Sequence, residues 1–314
     1  MTVSIGPLQA QEVPAFCELF KRVFSVSTTP ELRDWKYAQG PRLGSVSLVA
    51  RHESGALVGH VGALVFPGVC QGQAMPMAQV CDVMVEANAR GGLDASGTYG
   101  RLMQALQAEL ALRHPGVFAY GFAGIRPYKL GARMGLYRAV QECRMGFWEG
   151  PTPPWCWGWA AQPVAWGHPA FGQLWARWGE CGDAPRVQRT PAYLHWRYAT
   201  HPQHRYQPWL LRRWGQAKGW VITREMPQGE HCLVDSLLPQ GMGAALASRS
   251  VSQGLVAHRP SQAASASPPR ICSWDLSTEA SARLEPIMGC EVWVSGWHSD
   301  RVRPRFQPGD TDVF

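Results

Sequence analysis

The sequence of 314 residues has little charge and no long apolar run. Charged residues make up 17% of the chain, against about 25% in typical domains. Hydrophobic residues make up 46%, which excludes an intrinsically disordered chain. No run reaches the roughly 18 apolar residues of a membrane helix, and residues 1–10 lack the basic flank and apolar block of a signal peptide. We therefore expect a packed, soluble protein with no membrane partner.

Patterns typical of disulfide frameworks and metal sites are also missing. The nine cysteines are odd in number and include no CxxC pair, which argues against a disulfide framework and a structural zinc site. His201 and His204 lie close together, but no third ligand accompanies them, so we predict no metal. A cytoplasmic protein with reduced thiols is expected.

Lysine is rare, since only four of the 30 basic residues are lysines. Heavy use of Arg, Ala, Gly, Pro and Trp is typical of a GC-rich genome and requires no functional cause. No dense basic run with interleaved aromatic residues occurs, so nucleic acid is not an expected partner. The absence of GxxxxGK[ST] and of a GxGxxG that opens a βαβ unit argues against a P-loop and a dinucleotide fold.

Hydrophobic periodicity predicts alternating helices and strands in two halves. The elements predicted in the first half are helices near residues 13–24 and 30–37, strands at 45–51, 56–66 and 78–85, a helix at 99–110, a strand at 117–122 and a helix at 127–133. Those in the second half are a helix at 192–198, strands at 209–214, 219–224 and 231–238, a helix at 242–258, a loop at 260–269, a strand at 270–274, a helix at 279–288 and a strand at 291–295.

A glycine-rich loop joins the strand at 78–85 to the helix that follows it. Its glycines, at positions 91, 92, 97 and 100, let backbone N–H groups face an anion, and the helix N-terminus adds partial positive charge. Asp94 or Ser96 is a candidate helix cap. The alternative is that the glycines form only a tight strand–helix turn.

Three segments resemble the GCN5-related N-acetyltransferase (GNAT) superfamily over roughly residues 3–147. They are Asp82–Val85 leading into Arg90-Gly91-Gly92, Phe118–Phe122, and Leu130–Leu136. The family motif is Arg/Gln-x-x-Gly-x-Gly/Ala, and Arg90, Leu93 and Ala95 stand at its first, fourth and sixth positions. The loop is therefore expected to be longer than usual. The resemblance implies an α/β (α+β) fold of two GNAT-like domains, each with a mixed, mostly antiparallel twisted sheet flanked by helices.

The predicted domains are a GNAT acyl-CoA-binding domain at 1–147, a Trp/Pro-rich connector at 148–179, a degenerate GNAT-like domain at 180–300 and a C-terminal tail at 301–314. Tyr193–Tyr198, with Pro202 and Tyr206, resembles a segment of bacterial tandem-GNAT proteins. The second half has no Arg-Gly-x-Gly loop and is not expected to hold coenzyme A. Arg197 and Asp235 are either a structural ion pair or acceptor contacts.

The resemblance implies acetyl-CoA or another acyl-CoA as co-substrate, with no metal. Its pyrophosphate would lie on the loop amides, and its pantetheine would enter where the strands at 78–85 and 117–122 splay apart. Backbone N–H near Met84 or Val85 would stabilise the thioester oxygen. The predicted binding residues are Met84, Val85, Arg90, Gly91, Gly92, Ser96, Gly97, Thr98 and Gly100.

Asp82 is the candidate general base, acting through water, because it is an ionisable residue on an apolar strand. The alternative is a carboxylate paired with an arginine for structure. The family's usual acid is a tyrosine, and its position here is Gly131, so Tyr128 is the candidate acid. Alternation along the strand places Cys81 on the opposite face from Asp82, and His60 is expected to be a satisfied or exposed histidine.

The predicted function is transfer of an acyl group, in the first instance acetyl, from coenzyme A to a primary amine of a small molecule. One alternative is an aminoacyl-tRNA-dependent transferase of the tandem-GNAT type, which needs a basic face for tRNA. Another is a non-catalytic module that binds acyl-CoA or another ligand. Nothing in the sequence specifies an oligomeric state.

Overall fold

A computed structural model describes residues 3–92, 94–148, 158–179, 183–239, 242–258, 270–274, 287–294, 304 and 306–311. Several predicted features therefore lie outside the described residues: part of the connector (149–157), the whole loop at 260–269, residues 279–286 of the helix predicted at 279–288, and most of the tail. The last two residues of that predicted helix, 287 and 288, belong to a strand instead. The described chain divides into two compact units.

The first unit contains one sheet of eight described strands and four helices. Its strands are β1 (Val3–Pro7), β2 (Gly44–His52), β3 (Leu57–Cys70), β4 (Gln73–Val85), β5 (Phe118–Gly124), β6 (Tyr137–Cys143), β9 (Arg186–Val187) and β14 (Ile287–Val292). Its helices are α1 (Val13–Phe24), α2 (Pro30–Tyr37), α3 (Thr98–Arg113) and α4 (Ile125–Arg133). The strand order is β1-β2-β3-β4-β5-β14-β6, with β9 paired to β3. β4 and β5 run parallel, whereas the pairs β1–β2, β2–β3, β3–β4 and β5–β14 are antiparallel.

Helices cover both faces of this sheet because its strands alternate apolar side chains between the faces. Along β2, Leu48 and Ala50 pack in the cluster that contains the α3 residues Leu102 and Leu106. Their neighbour Val49 points the other way, into a smaller cluster formed with α1. The sheet is thus buried on both sides in its centre, where β4 lies.

The described residues of the second unit form six strands and three α-helices. They are β7 (Met145–Trp148), β8 (Trp159–Pro163), α5 (Ala170–Leu174), α6 (Pro191–Leu194), β10 (Gln207–Arg213), β11 (Gln216–Glu225), β12 (His231–Leu237), α7 (Ala244–Ala257) and β13 (Ile271–Trp274). The strand order is β7-β13-β12-β11-β10-β8, with β12 and β13 parallel. The prediction of two mixed, mostly antiparallel sheets flanked by helices is confirmed.

The two units are discontinuous in sequence, unlike the contiguous predicted domains. β14, predicted as the closing strand of the second half, pairs with β5 in the first unit, and β9 pairs with β3. The described part of the predicted connector contains β8 and α5 of the second unit. Strands from the second half of the chain thus pair with strands of the first half. Such pairing joins residues far apart in sequence, and local periodicity does not encode it.

A buried ionic network fixes the end of the chain to β12 in the second unit. Arg189 donates from Nε to Asp235 at 3.1 Å and from Nη2 to Asp310. The Tyr198 hydroxyl donates to Asp235 at 2.7 Å. Burial raises the pKa of Asp235, and the Arg189 charge opposes that rise. Of the two roles considered for Arg197 and Asp235, a mutual pair is not observed: Asp235 pairs with Arg189, and Arg197 donates to the Thr311 carbonyl at 2.6 Å.

Candidate functional site

A β-bulge interrupts β4 at Asp82. Met84 lies opposite His60, and Cys81 lies opposite Gly62. Asp82 and Val83 therefore both face Val61, the single β3 residue between His60 and Gly62. Asp82 has φ +51°, a left-handed conformation that aspartate adopts more readily than most residues. Bulges of this kind redirect side chains and are common beside active sites.

The bulge corrects the expectation for Cys81. Cys81 and Asp82 were predicted on opposite faces, yet both contact the Tyr37 hydroxyl, Cys81 Sγ at 3.5 Å and Asp82 Oδ2 at 2.7 Å. The extra residue shifts the alternation by one, so two sequence neighbours face the same side. Cys81 is 5% exposed and packs as a core residue.

The Asp82 carboxylate is held by two residues at the end of α2. Lys36 Nζ lies 2.7 Å from Oδ1, and the Tyr37 hydroxyl donates to Oδ2 at 2.7 Å. The Lys36 and Asp82 side chains are only 12% and 7% exposed. Burial, followed by the charge of Asp82, raises the pKa of Tyr37 well above its usual value, so the phenol remains a neutral donor. The alternative considered for Asp82 was pairing with an arginine, and the partner in the structure is a lysine.

Both ends of α2 are anchored to specific partners. Thr29 caps its first turn by accepting from the Leu32 N–H at 3.2 Å, and Pro30 occupies the first helical position, as predicted. At the other end, Arg42 donates to the carbonyls of Trp35 and Lys36. Burial lowers the pKa of Arg42 to about 10, which leaves it charged at neutral pH. These contacts set the position from which Lys36 reaches Asp82.

Gly62 on β3 makes room for the Tyr37 phenol. A Cβ at this position would lie 2.0 Å from the Tyr37 hydroxyl oxygen and 2.8 Å from Cζ. No side chain fits in that space, so the glycine is required for the Tyr37–Asp82 hydrogen bond.

His60 supports the bulge from within the sheet. Its Nδ1 lies 2.8 Å from the Asp82 carbonyl oxygen, and its Nε2 lies 2.9 Å from Ser47 Oγ. A carbonyl only accepts, so Nδ1 carries the proton and Nε2 accepts from the serine. Burial lowers the pKa of His60 to about 4. His60 is therefore a neutral, satisfied histidine, one of the two states expected for it.

β4 and β5 separate next to the bulge. Their parallel register ends at Val80 opposite Gly121, although β4 continues to Val85 and β5 to Gly124. Glu86 N donates to the Val58 carbonyl at 2.9 Å, so alternation along the ladder makes Met84–His60 the next hydrogen-bonded pair. The N–H of Val85 thus points away from β3, towards the side where β5 departs, whereas that of Met84 points to β3.

The predicted anion loop follows β4 and is tightly folded on itself. Gly91 has φ +65°, and a Cβ on Gly97 would lie 2.1 Å from the Gly92 carbonyl oxygen. The N-cap of α3 is Gly97, with no side-chain cap, so neither Asp94 nor Ser96 caps the helix. Asp94 instead accepts from Ser96 N and Oγ at 2.9 and 2.6 Å, and these bonds lower the pKa of Asp94.

Several predicted phosphate donors form bonds inside this loop. Gly97 N donates to the Asp94 carbonyl, Thr98 N to the Arg90 carbonyl, and Thr98 Oγ1 to the Ala89 carbonyl at 2.6 Å. The next N–H groups, of Tyr99 and Gly100, lie in the first turn of α3, where a helix provides no carbonyl partner. Arg90 is exposed beside them. The geometry therefore favours the helix amides and Arg90 over the loop hydroxyls as anion ligands.

The candidate acid and its neighbourhood lie on α4. Tyr128 is half-buried on this helix. Gly131 is buried, and a Cβ there would lie 2.3 Å from the Tyr137 ring, so a tyrosine does not fit at that position. Gly135, at φ +70°, ends the helix as predicted: Leu136 N donates to the Gly131 carbonyl at 2.9 Å.

Sequence reasoning missed Lys36, Tyr37 and Ser47. The one available signal was that Lys36 is among only four lysines in an arginine-rich chain. Within the described residues, no group of three or more His, Cys, Asp or Glu side chains is placed to hold a metal ion. None of the described helices has the length and apolarity needed to span a bilayer.

One family model matches part of the chain. Residues 4–138 match the family model of the acetyltransferase (GNAT) domain. No curated protein matches the chain in sequence.

Three solved GCN5-related N-acetyltransferases share the fold across most of this chain. The protein from Anabaena variabilis is 13% identical, with a TM-score of 0.63, over 92% of this chain and 72% of its own. The protein from Kribbella flavida is 12% identical, with a TM-score of 0.62, over 94% and 71%. The protein from Sphaerobacter thermophilus is 14% identical, with a TM-score of 0.54, over 92% and 95%. At these identities the likeness shows the fold.

Replacing Gly62 with alanine should displace Tyr37 from Asp82. We expect a loss of about 1–3 kcal/mol in the free energy of unfolding, measured by urea titration. Combined with Tyr37→Phe, which removes the atom 2.0 Å from the new Cβ, the loss should be smaller than the sum of the two single losses. The control is Gly121→Ala, whose Cβ would have ordinary contacts at 3.4 Å and beyond. Strict additivity, or equal losses in Gly62→Ala and Gly121→Ala, would contradict this packing.

The buried neutral state of His60 predicts a pH dependence of stability. The unfolded chain binds a proton near the ordinary histidine pKa of about 6.5, whereas in the folded state the pKa of His60 is about 4. The unfolded state therefore binds more protons between these values, and stability falls as the pH decreases from about 6.5 to about 4, by at most roughly 3 kcal/mol.

The measurement is urea unfolding between pH 7 and pH 4.5, with His60→Gln as the non-titrating comparison. His201 in the second unit, with a pKa of about 3, contributes with the same sign but is present in both proteins. The variant should lose less stability than the parent as the pH falls. Parallel curves for the two proteins would refute the assignment.

Proposed function

Because residues 4–138 match the GNAT acetyltransferase domain, we propose that this chain transfers an acyl group, acetyl in the simplest case, from coenzyme A to a primary amine of a small molecule. The observation that supports the proposal most directly is that β4 and β5 separate beside the Asp82 bulge, immediately before the glycine loop and α3. A donor thioester and a polar acceptor site would then meet within a few residues of β4.

The donor side of the proposed site is formed by backbone groups and one arginine. Tyr99 N–H, Gly100 N–H and Arg90 would hold the pyrophosphate through the helix N-terminus and a guanidinium. Val85 N–H would donate to the thioester oxygen, on which negative charge develops when the amine attacks. Acyl-CoA itself supplies the activated acyl group and the thiol leaving group.

The acceptor side is formed by Asp82 with Lys36 and Tyr37. A primary amine arrives as an ammonium ion, and it must lose a proton before it can attack. We propose that Asp82, oriented by Lys36 and Tyr37, attracts the ammonium and receives that proton through a water molecule. Tyr128 is the proposed acid for the leaving thiolate.

A second candidate is a module that binds acyl-CoA without turnover. Two observations favour it: both carboxylate oxygens of Asp82 already have partners, and the tyrosine position on α4 is a glycine that Tyr137 covers. Binding and turnover must therefore be measured separately.

Gly97→Ala should weaken coenzyme A binding if the loop has the proposed role. The added Cβ would lie 2.1 Å from the Gly92 carbonyl oxygen, so the loop backbone must move away from the helix end. We expect acetyl-CoA to bind at least about tenfold more weakly by calorimetry. The matched control is Gly243→Ala, the N-cap of α7, where a Cβ has no neighbour within 4 Å. If the parent protein binds no acyl-CoA at millimolar concentration, both candidate functions fail.

Asp82→Asn should separate the two candidates. Under the transferase proposal, kcat for a panel of small amines falls by about 10²-fold or more, while acetyl-CoA affinity is kept. The control Glu12→Gln removes an ion pair with Arg51 and should leave kcat unchanged. Because Asp82→Asn leaves Lys36 buried without its acid, the double variant with Lys36→Met tests whether misfolding explains a loss. Acyl-CoA binding with no turnover of any amine by the parent would favour the non-catalytic module.

A further inference from the structure

One primary amine of the chain already lies at the proposed acceptor site. Lys36 Nζ is 2.7 Å from Asp82 Oδ1, and the lysine side chain is 12% exposed. Asp82 is the proposed base for an acceptor ammonium, and the Lys36 side chain ends in an ammonium group. The contact that the proposed reaction needs between base and acceptor is therefore present within the folded chain.

The position of Lys36 also relates it to the gap between β4 and β5. Helices α1 and α2 pack together on one face of the sheet, and Lys36 reaches Asp82 from that face. On the same face Asp82 is followed by Met84, which packs against α1. The pairing of β4 with β5 ends at Val80, two residues before Asp82, or roughly 7 Å along the strand. Lys36 Nζ thus lies beside the place where the acyl thioester would enter.

The remaining lysines lie elsewhere in the chain. There are four lysines, and the other three are Lys21 on α1, Lys129 on α4 and Lys218 on β11. Lys21 and Lys129 are exposed, and Lys218 donates to Gln216 at 2.8 Å. Lys36 is the lysine that the fold brings to Asp82. The other three therefore serve as internal comparisons for any chemistry that depends on the site.

We propose that Lys36 is itself an acyl acceptor, so that the chain acylates its own Lys36 Nζ from bound acyl-CoA. This inference rests on the proposed function, because it uses the same donor site and the same base. One ammonium proton passes to Asp82 across the existing contact and then to water, and the neutral Nζ attacks the thioester carbon. The C–N bond forms and the C–S bond breaks. A second proton goes to the thiolate to give coenzyme A, and the third stays on the amide nitrogen.

The fixed position of Lys36 favours this step, and the step changes the site. An amine held by the fold reacts in a unimolecular step, which gives a high effective concentration when the groups are well oriented. Acylation removes the positive charge of the lysine. Asp82 then loses its partner at Oδ1 and keeps the Tyr37 hydroxyl at Oδ2. The Oδ1 position is then open to the ammonium of a small acceptor.

The test is incubation of the full chain with acetyl-CoA, followed over time by peptide mass spectrometry of all four lysines. Lys36 should gain an acetyl group at least about tenfold faster than Lys21 and Lys129. Its first-order rate constant should not change when the protein is diluted. Acetic anhydride is the comparison reagent, because it needs no binding site and should modify the exposed lysines first. Acetylation of Lys36 by acetyl-CoA no faster than that of Lys21 and Lys129 overturns the proposal.

A variant at the base gives an independent measurement. Asp82→Asn should slow the acetylation of Lys36 by about 10²-fold or more and leave the rates at Lys21 and Lys129 unchanged. The matched control is Glu12→Gln, which removes an ion pair with Arg51 and should leave the rate at Lys36 unchanged. Equal losses in the two variants would contradict the proposal. The comparison among lysines in the parent protein needs no substitution, so misfolding of Asp82→Asn does not decide the outcome.

Calorimetry with acetyl-CoA and an assay with small amines separate this proposal from the proposed function. If no acyl-CoA binds, both fail. If acyl-CoA binds and Lys36 stays unmodified, the Lys36 proposal fails, and acylation of a small amine in the same samples would leave the proposed function standing. Acetylation of Lys36 without turnover of any small amine supports the Lys36 proposal and contradicts a small-molecule acceptor.

Discussion

The left-handed backbone at Asp82 is the constraint on which the candidate site depends. It is held from two directions: His60 bonds to the Asp82 carbonyl, and Lys36 and Tyr37 bond to its carboxylate. An uncommon conformation persists when its surroundings specify it this strongly. If the residue returned to an extended conformation, the alternation along β4 would shift by one. Val83 and Val85 would then leave the α3 side and Asp82 would leave α2.

Each unit pairs a buried basic side chain with acidic partners. In the first unit, the Lys36 charge is matched by Asp82, and in the second, Arg189 is matched by Asp235 and Asp310. Burying a charge is costly unless it is paired, so these networks are expected in a stable fold.

Much of the fold was predictable from local patterns. The helix predicted at 30–37 has those bounds in the structure, with its predicted cap at Thr29. The glycine loop was placed correctly between β4 and α3, because glycines and an apolar helical period mark such a junction. What could not be predicted is which side chains in the loop are available to bind an anion. The hydroxyls of Ser96 and Thr98 form hydrogen bonds inside the loop, and this depends on how residues 89–98 fold back on one another.

By itself, the sequence determined the four helices of the first unit, its strands β2 to β5, the position of the loop and the choice of Asp82 as the ionisable residue on β4. It did not predict β1, β6 or β9. The features that it determined follow from periodicity and composition, which are local. The tertiary structure alone decided that Lys36 and Tyr37 meet Asp82, that Gly62 leaves space for the phenol, and that β14 joins the first sheet. Each of those contacts joins residues far apart in the chain, and a one-residue bulge reverses the faces that alternation predicts. Long-range packing is the physical reason that the site's chemistry appears only in the folded protein.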